Sequence, residues 1–158
     1  REIRSAVKIL SANKIGALLV IERDMGLNDI SATGIQIDGL ITSDFLMNVF
    51  IPNTPLHDGA AVIRGKRLIA AGCLLPLTET RALSTELGTR HRAAIGLSEQ
   101  CDALVVVVSE ETGTISIAEN GRIHRHLDGD QLTHILSPAF AYSSRSSIWE
   151  LVRSWRKK

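Results

Sequence analysis

The side chains best suited to chemistry fall in three short segments, and the first is centred on Asp58. It follows residues 51–55, a stretch in which two prolines enforce extended backbone, so the sequence His57-Asp-Gly-Ala is held in a fixed place. A carboxylate there could bind a divalent cation or orient a hydroxyl nucleophile. Gly59 lets another group approach the backbone, and Ala60 keeps the space small. The alternative is an ordinary Asp-Gly turn before a strand.

The second segment, Gly88 to Arg92, opens a predicted helix. The first N–H groups of a helix lack partners, its dipole favours an anion, and Arg90 and Arg92 can add bidentate phosphate contacts. His91 could add a donor, and Thr89 could cap the helix or touch a phosphate. Three basic residues in a first turn oppose the dipole unless an anion is present, and this conflict indicates function. The alternative is a solvated basic turn.

The third segment, Ser109-Glu110-Glu111, ends an apolar run, and ligands gather at the carboxyl ends of strands in open α/β sheets. Glu110 or Glu111 could help bind a metal or restrain an arginine; the alternative is an exposed acidic turn. Together the three segments indicate nucleotidyl transfer. The sequence has no Gly-x-Ser-x-Gly, Walker A or HExxH motif that would favour another chemistry.

The elements that must position these segments alternate between short apolar runs and amphipathic stretches. Strands are predicted at residues 16–22, 35–37, 60–64, 68–74, 104–108, 114–118 and 122–125. Helices are predicted at about residues 1–13, 43–50, 88–100, 130–136 and 147–156. The pattern predicts a single α/β domain with a mixed central sheet of about six or seven strands flanked by helices.

Composition limits the classes of function. With 158 residues, 44% of them hydrophobic and 22% charged, the chain is an ordinary globular domain. A net charge of +1 and only 4% aromatic residues argue against a nucleic-acid surface. Cys73 and Cys101 suggest no disulfide, so a reducing compartment is expected. The chain opens in helical rhythm without a cap, from which we expect a segment to precede it in the natural protein.

The runs at residues 50–61, 87–94 and 108–113 resemble the diadenylate cyclase domain in sequence and in order. The family's two signature motifs, Asp-Gly-Ala and Arg-His-Arg, stand intact at residues 58–60 and 90–92. The chain is most similar to the catalytic domain of the membrane-anchored, diadenylate cyclase A type. The resemblance covers about residues 1–127, which we expect to form the catalytic domain, and leaves residues 128–158 as a helical extension of unknown role.

The resemblance implies that two ATP condense to cyclic di-AMP and two pyrophosphates, with Mg²⁺, Mn²⁺ or Co²⁺ as cofactor. Asp58 would bind the metal and align the ribose 3′-hydroxyl, with Gly59 and Ala60 leaving room for the sugar. His57 and Glu111 are weaker candidates as metal ligands. The residues expected to bind ATP are Leu75 beside the adenine and, around the phosphates, Gly88, Thr89, Arg90, His91, Arg92, Ser109, Glu110 and Glu111.

Further expectations concern assembly and location. The product is two-fold symmetric and each domain offers one nucleotide site, so a face-to-face C₂ homodimer is expected to be the active form. In the family, transmembrane helices precede the domain, which would place this otherwise soluble part on the cytoplasmic face of the bacterial membrane. Regulatory protein partners are expected for the family, but no residue here identifies one.

Three other functions stay open on the sequence. A non-catalytic sensor would bind ATP or cyclic di-AMP without turnover, although Asp58 is present. A nucleic-acid or anionic-surface module would use Arg90, Arg92 and the basic C-terminus, against the near-zero net charge. A phosphohydrolase would release phosphate and form no cyclic product.

Overall fold

The computed structural model describes residues 1–79 and 87–140, in which one sheet contains seven strands. The strands are β1 (Ala17–Ile21), β2 (Ile35–Leu40), β3 (Ala60–Arg64), β4 (Arg67–Cys73), β5 (Leu104–Val108), β6 (Ile115–Glu119) and β7 (Arg122–His124). Their order across the sheet is β2-β4-β3-β1-β5-β6-β7. Within these described ranges β1 and β3 pair in parallel, and the other five neighbouring pairs are antiparallel. The predicted mixed α/β sheet is confirmed.

Helices cover both faces of the sheet. They are α1 (Glu2–Ala12), α2 (Asn28–Ser31), α3 (Ser43–Val49), α4 (Thr89–Gln100) and α5 (129–140). The sequence offers Ser43 or Thr42 as the cap of α3. The structure shows that Thr42 is the cap, because its Oγ1 accepts a hydrogen bond from the Phe45 N–H at 3.1 Å. The short α2 lies in a segment that the sequence indicated only as a turn. The helix predicted at residues 147–156 lies outside the described residues.

The central strands separate two apolar cores, because alternate side chains of a strand point to opposite faces. Leu19 and Ile21 of β1 join a core that is shared with α1, α3 and α5. Leu18 and Val20 join a second core, shared with α4. Every residue of β1 and β5 is therefore buried, which explains why both strands are continuous apolar runs.

Helix α5 is part of the first core. Its start is a capping box, in which Gln131 N donates to Asp128 Oδ1 at 2.8 Å and Asp128 N donates to Gln131 Oε1 at 3.0 Å. Leu132 has no exposed surface, and Arg4 of α1 pairs with Asp130 at 3.1 Å. Residues 129–140 thus pack with α1. The expected boundary between a catalytic domain (residues 1–127) and an extension (residues 128–158) therefore stays a prediction about function and does not divide the packed core.

Other features concern the cysteines and the membrane. Cys73 is buried, Cys101 is half-buried, and both are free thiols. Among residues 1–79 and 87–140, no helix has the combination of length and apolar character that crossing a bilayer requires.

Substituting Leu132 tests whether α5 belongs to the folding unit. Leu132→Ala removes a fully buried side chain from the first core, so we expect the free energy of unfolding to fall by about 2–5 kcal/mol. The matched control Leu40→Ala, at a site that is 61% exposed, should change it by no more than about 0.5 kcal/mol. Urea titrations of both variants measure the difference. Equal small effects would show that α5 lies outside the cooperative core.

Candidate functional site

One cavity brings together the three segments that the sequence singled out. Its volume is about 420 Å³, within the range of small-molecule sites. It is lined by His57, Asp58, Gly88, Thr89, Arg90, His91, Val108, Ser109, Glu110 and Glu111. Of the residues proposed from the sequence, four lie elsewhere: Gly59, Ala60, Leu75 and Arg92.

Asp58 sits at the end of a loop that is braced by short hydrogen bonds. Thr54 Oγ1 donates to Ile51 O at 2.8 Å, and Thr54 O lies 2.6 Å from His57 Nδ1. The expected extended backbone over residues 51–55 is wrong, because the chain turns there with Asn53 at a φ of +66°; these hydrogen bonds within the loop hold the approach to Asp58 in place. Asp58 itself is exposed on the cavity wall, and no contact between its carboxylate and the rest of the described chain competes for a ligand.

Gly59 makes close approach possible, but the group that approaches is the protein's own backbone. Its φ of +108° is in the region that favours glycine, and a Cβ there would lie 2.7 Å from the carbonyl oxygen of Cys73 on β4. Ala60 pairs with Cys73 and is fully buried in the second core. These contacts seat the start of β3 and so position Asp58, and the expectation that the two residues leave room for a sugar stays a prediction.

The start of α4 presents backbone donors to the cavity. Its N-cap is Gly88, and no side chain caps the helix. Thr89 is the first helical residue, so the expectation that it could cap the helix is wrong. The first-turn N–H groups and the positive end of the dipole therefore face a cavity that an anion can enter.

The two arginines of this helix behave differently. The Arg90 side chain is only 23% exposed, and its Nη1 lies 3.5 Å from Glu110 Oε2. This pair confirms the expectation that a glutamate restrains an arginine. Arg92 does not line the cavity; its carbonyl oxygen accepts a hydrogen bond from Thr78 N at 3.1 Å. Arg90 and Arg92 lie two positions apart and therefore about 200° apart around the helix axis, which is why they cannot share one wall.

His91 is the buried polar group of the site. It is 5% exposed, lines the cavity, and its Nε2 has no hydrogen-bond partner within the described residues. Burial lowers the pKa of His91, the charges of Arg125 and Arg90 lower it further, and Glu111 opposes them. The imidazole is therefore neutral at neutral pH, and its buried nitrogen is available to a ligand.

Two residues near the site were missed in the sequence. Arg125 follows β7 and acts on His91 through its charge, although the two are 34 positions apart. Gly16 precedes β1 and lies against Arg90. No local pattern could have found either, because both reach the site through the tertiary fold. Leu75, expected beside the adenine, packs half-buried against the second core.

The side chains that line the cavity fit a divalent cation that is bound jointly by carboxylates of the protein and by phosphates of a substrate. Among the residues that the structure describes, no group of three or more His, Cys, Asp or Glu side chains lies close enough together to hold a metal ion on its own. Mg²⁺ is commonly held by one or two carboxylates together with substrate phosphates. Asp58 and Glu111, which line the same cavity as the α4 N-terminus, match that mode.

Comparisons with known proteins agree on one family. A family model described as "DisA bacterial checkpoint controller nucleotide-binding" (DAC) matches residues 4–123. The chain is 48% identical over 159 residues to "Cyclic di-AMP synthase CdaA" of Bacillus subtilis, covering 99% of this chain and 57% of that protein. It is 46% identical over 134 residues to "Diadenylate cyclase" of Listeria monocytogenes, covering 85% of this chain and 49% of that protein. The chain thus spans about half the length of these curated relatives.

Two crystal structures share the fold. DacA from Staphylococcus aureus, a double mutant, superposes with a TM-score of 0.86 at 44% identity, covering 88% of this chain and 93% of that chain. A protein described as a hypothetical membrane spanning protein from Bacillus cereus superposes with a TM-score of 0.78 at 46% identity, covering 80% and 62%.

The lowered pKa of His91 predicts a pH dependence of stability. In the unfolded chain a histidine titrates near its ordinary value of 6.5. Below that pH the unfolded state therefore binds a proton that the folded state does not, and folding is destabilised as the pH falls from about 6.5 towards the folded pKa. His91→Gln should remove this part of the acid sensitivity.

Urea titrations at pH 7.5 and pH 5.5 test this prediction. The stability advantage of the wild type over His91→Gln should shrink at the lower pH. His124→Gln, at an exposed histidine on β7, is the control and should leave the pH dependence as in the wild type. An advantage that is the same at both pH values would contradict the assignment of a buried, neutral His91.

Proposed function

The chain belongs to the DAC family, and from this membership we propose that it is a diadenylate cyclase, condensing two ATP to cyclic di-AMP with release of two pyrophosphates. The observation that carries the proposal is one cavity that unites an exposed carboxylate, Asp58, with an uncapped helix N-terminus, Arg90 and the unpartnered nitrogen of His91. The proposal is also supported by relatives at 46–48% identity, which are described as cyclic di-AMP synthase and diadenylate cyclase.

The triphosphate binds at the start of α4 in this proposal. Backbone N–H groups of the first turn and the helix dipole attract its negative charge. Arg90 exchanges its long contact with Glu110 for a phosphate oxygen, since a charge-assisted bond to phosphate is shorter and stronger than a 3.5 Å pair. His91 Nε2 donates to a second oxygen when the ring carries its proton on that nitrogen. Leu75 remains the candidate contact for the adenine.

The reaction makes two phosphodiester bonds. The ribose 3′-oxygen of one ATP attacks the α-phosphorus of the other, the bond from that phosphorus to the pyrophosphate oxygen breaks, and the hydroxyl proton is lost. The same step with the roles exchanged closes the ring. Asp58 orients the hydroxyl and receives its proton, while Arg90 and His91 offset the charge that develops on the phosphate oxygens.

A divalent cation, Mg²⁺, Mn²⁺ or Co²⁺, is the cofactor in this proposal. Asp58 would hold it, with Glu111 and His57 as further ligand candidates on the same cavity. When bound, such an ion neutralises phosphate charge. Asp58 is exposed two positions before β3, and hydrogen bonds within the preceding loop hold it in place for a metal ion.

The active form is proposed to be a face-to-face homodimer. In the described part of the chain one cavity unites the three segments. Since the product contains two identical halves, a C₂ dimer places two ATP with each 3′-hydroxyl against the other's α-phosphorus. The DAC domain is proposed to work at the cytoplasmic face of the bacterial membrane, since one matching structure is described as membrane spanning. Protein regulators remain unidentified.

Substituting Asp58 tests the reaction. Asp58→Asn keeps the side chain's shape but removes its charge, so cyclic di-AMP formation should fall by about 10²-fold or more, as for loss of a general base. ATP binding should persist, because the α4 N-terminus is untouched. Incubation with ATP and Mn²⁺, followed by chromatography with mass detection, measures the product. Asp24→Asn, an exposed aspartate outside the cavity, is the matched control.

The outcomes separate the candidate functions. ATP binding by the wild type without cyclic product, under conditions where it dimerises, would favour a sensor. Release of inorganic phosphate without cyclic product would favour a phosphohydrolase. Cyclic product from Asp58→Asn at the wild-type rate would remove Asp58 from the reaction.

Mixing wild type with Asp58→Asn tests the dimer. If both protomers must be competent to close the ring, only a quarter of the dimers in an equal, randomly paired mixture are active. The rate should therefore be about a quarter of the rate of pure wild type at the same total protein concentration. If each chain worked alone, the rate would be half. Product formation across mixing ratios therefore distinguishes a quadratic from a linear dependence on the wild-type fraction.

A further inference from the structure

Gly16, the residue before β1, lies against the guanidinium of Arg90. It is buried, and a Cβ at this position would lie 2.7 Å from Arg90 Nη1, 2.8 Å from Cζ and 3.2 Å from Nε. Real Cβ atoms do not approach other heavy atoms below about 3.0 Å. The guanidinium therefore occupies space that exists only because residue 16 has no side chain.

The same guanidinium also contacts the turn that carries Glu110. Ala17 pairs with Val108 in the antiparallel β1–β5 ladder, so Gly16 lies beside the residues that follow β5. Arg90 Nη1 is 3.5 Å from Glu110 Oε2 on that turn. The guanidinium of Arg90 thus lies against the backbone of Gly16 and within ion-pair distance of a carboxylate, and Arg90 lines the cavity.

We propose that Gly16 is a positioning residue for the phosphate-binding arginine. By presenting bare backbone, it lets Arg90 lie low in the cavity wall, where the guanidinium can meet a phosphate without filling the space that the nucleotide needs. This inference rests on the proposed function for the identity of the ligand. It assigns Gly16 no contact with substrate; the residue acts through Arg90.

Alanine is a clean probe of this role. Gly16 is not among the glycines with left-handed φ, so its backbone accepts a side chain. All three atoms that a Cβ would meet belong to the flexible end of Arg90. The chain can therefore absorb Gly16→Ala by moving that side chain. At Gly96, in contrast, a Cβ would lie 2.0 Å from the backbone oxygen of Pro76, so substitution there would disturb the fold itself.

The test is a double-mutant cycle on nucleotide binding and turnover. Gly16→Ala, Arg90→Ala and the double variant are compared with the wild type by calorimetry with ATP and Ca²⁺, and by cyclic di-AMP formation with Mn²⁺. A displacement of about 1 Å at a positioning group can cost about 10²-fold in rate, so Gly16→Ala should lower kcat/KM by roughly tenfold to a hundredfold and weaken ATP binding. In the Arg90→Ala background the same change should alter both by less than about twofold, because the partner is gone.

A control and a stability measurement complete the test. Gly26→Ala, where a Cβ would meet nothing within 4 Å, should leave binding, turnover and Tm unchanged. The proposal would be overturned if Gly16→Ala lowered ATP affinity and kcat/KM by the same factor with and without Arg90. It would also be overturned if the Gly16→Ala chain bound and turned over ATP like the wild type. A Gly16→Ala chain that fails to fold even with Arg90→Ala would overturn it too, because the clash would then lie elsewhere.

The cycle also separates this inference from the proposed function. If the wild type binds ATP but forms no cyclic product, the cyclase proposal fails, while coupling between Gly16 and Arg90 in binding still supports the positioning role. If cyclic product forms and no coupling is found, only the positioning role fails.

Discussion

Strand β1 has a parallel neighbour on one side and an antiparallel neighbour on the other, and the cavity depends on this arrangement. Leu19 pairs with Ala61 of β3, and Ala17 pairs with Val108 of β5. The beginnings of β1 and β3 and the end of β5 therefore meet at one edge of the sheet. A fully parallel sheet would place the residues before β3 and those after β5 at opposite edges, so the mixed pairing brings Asp58 and Glu110 to one cavity.

Without a ligand, the charges at this edge of the sheet offset one another, but they do not stabilise the N-terminus of α4. The first turn of the helix contains Arg90 and Arg92 beside a neutral His91, has no acidic residue and has no side-chain cap. Glu110 compensates Arg90 only through a long, exposed contact, which is worth little in water. His91 stays neutral because two arginines and burial disfavour its charge. A triphosphate would relieve each of these costs at once, so the local conflict is one that ligand binding resolves.

Local patterns in the sequence were sufficient for much of this structure and insufficient for the rest. The apolar runs of β1 and β5 and the capping residue Thr42 act within a few positions, so they could be predicted. The three segments of the site were also found, because their residue types suit anion and metal chemistry. Side-chain direction could not be predicted: Arg92 turns away from the cavity, and Ala60 is buried. The placement of α5 depends on Leu132 joining the same buried core as the apolar residues of α1, which no local pattern encodes.

The residues that line the cavity are held in place by contacts with neighbouring strands and helices, each of which involves a backbone group. Gly59 lets the start of β3 press on β4, and Gly16 lets Arg90 lie on the start of β1. The turn that carries Glu110 is held by Ser11 of α1, whose Oγ donates to the Gly113 carbonyl. Because these contacts use rigid strands and a helix end, the Asp58 carboxylate and His91 Nε2 stay in place at the cavity without a hydrogen-bond partner among the described residues. Their bonding capacity is thereby left for a ligand, which under the proposed function is a phosphate, the cation or the ribose hydroxyl.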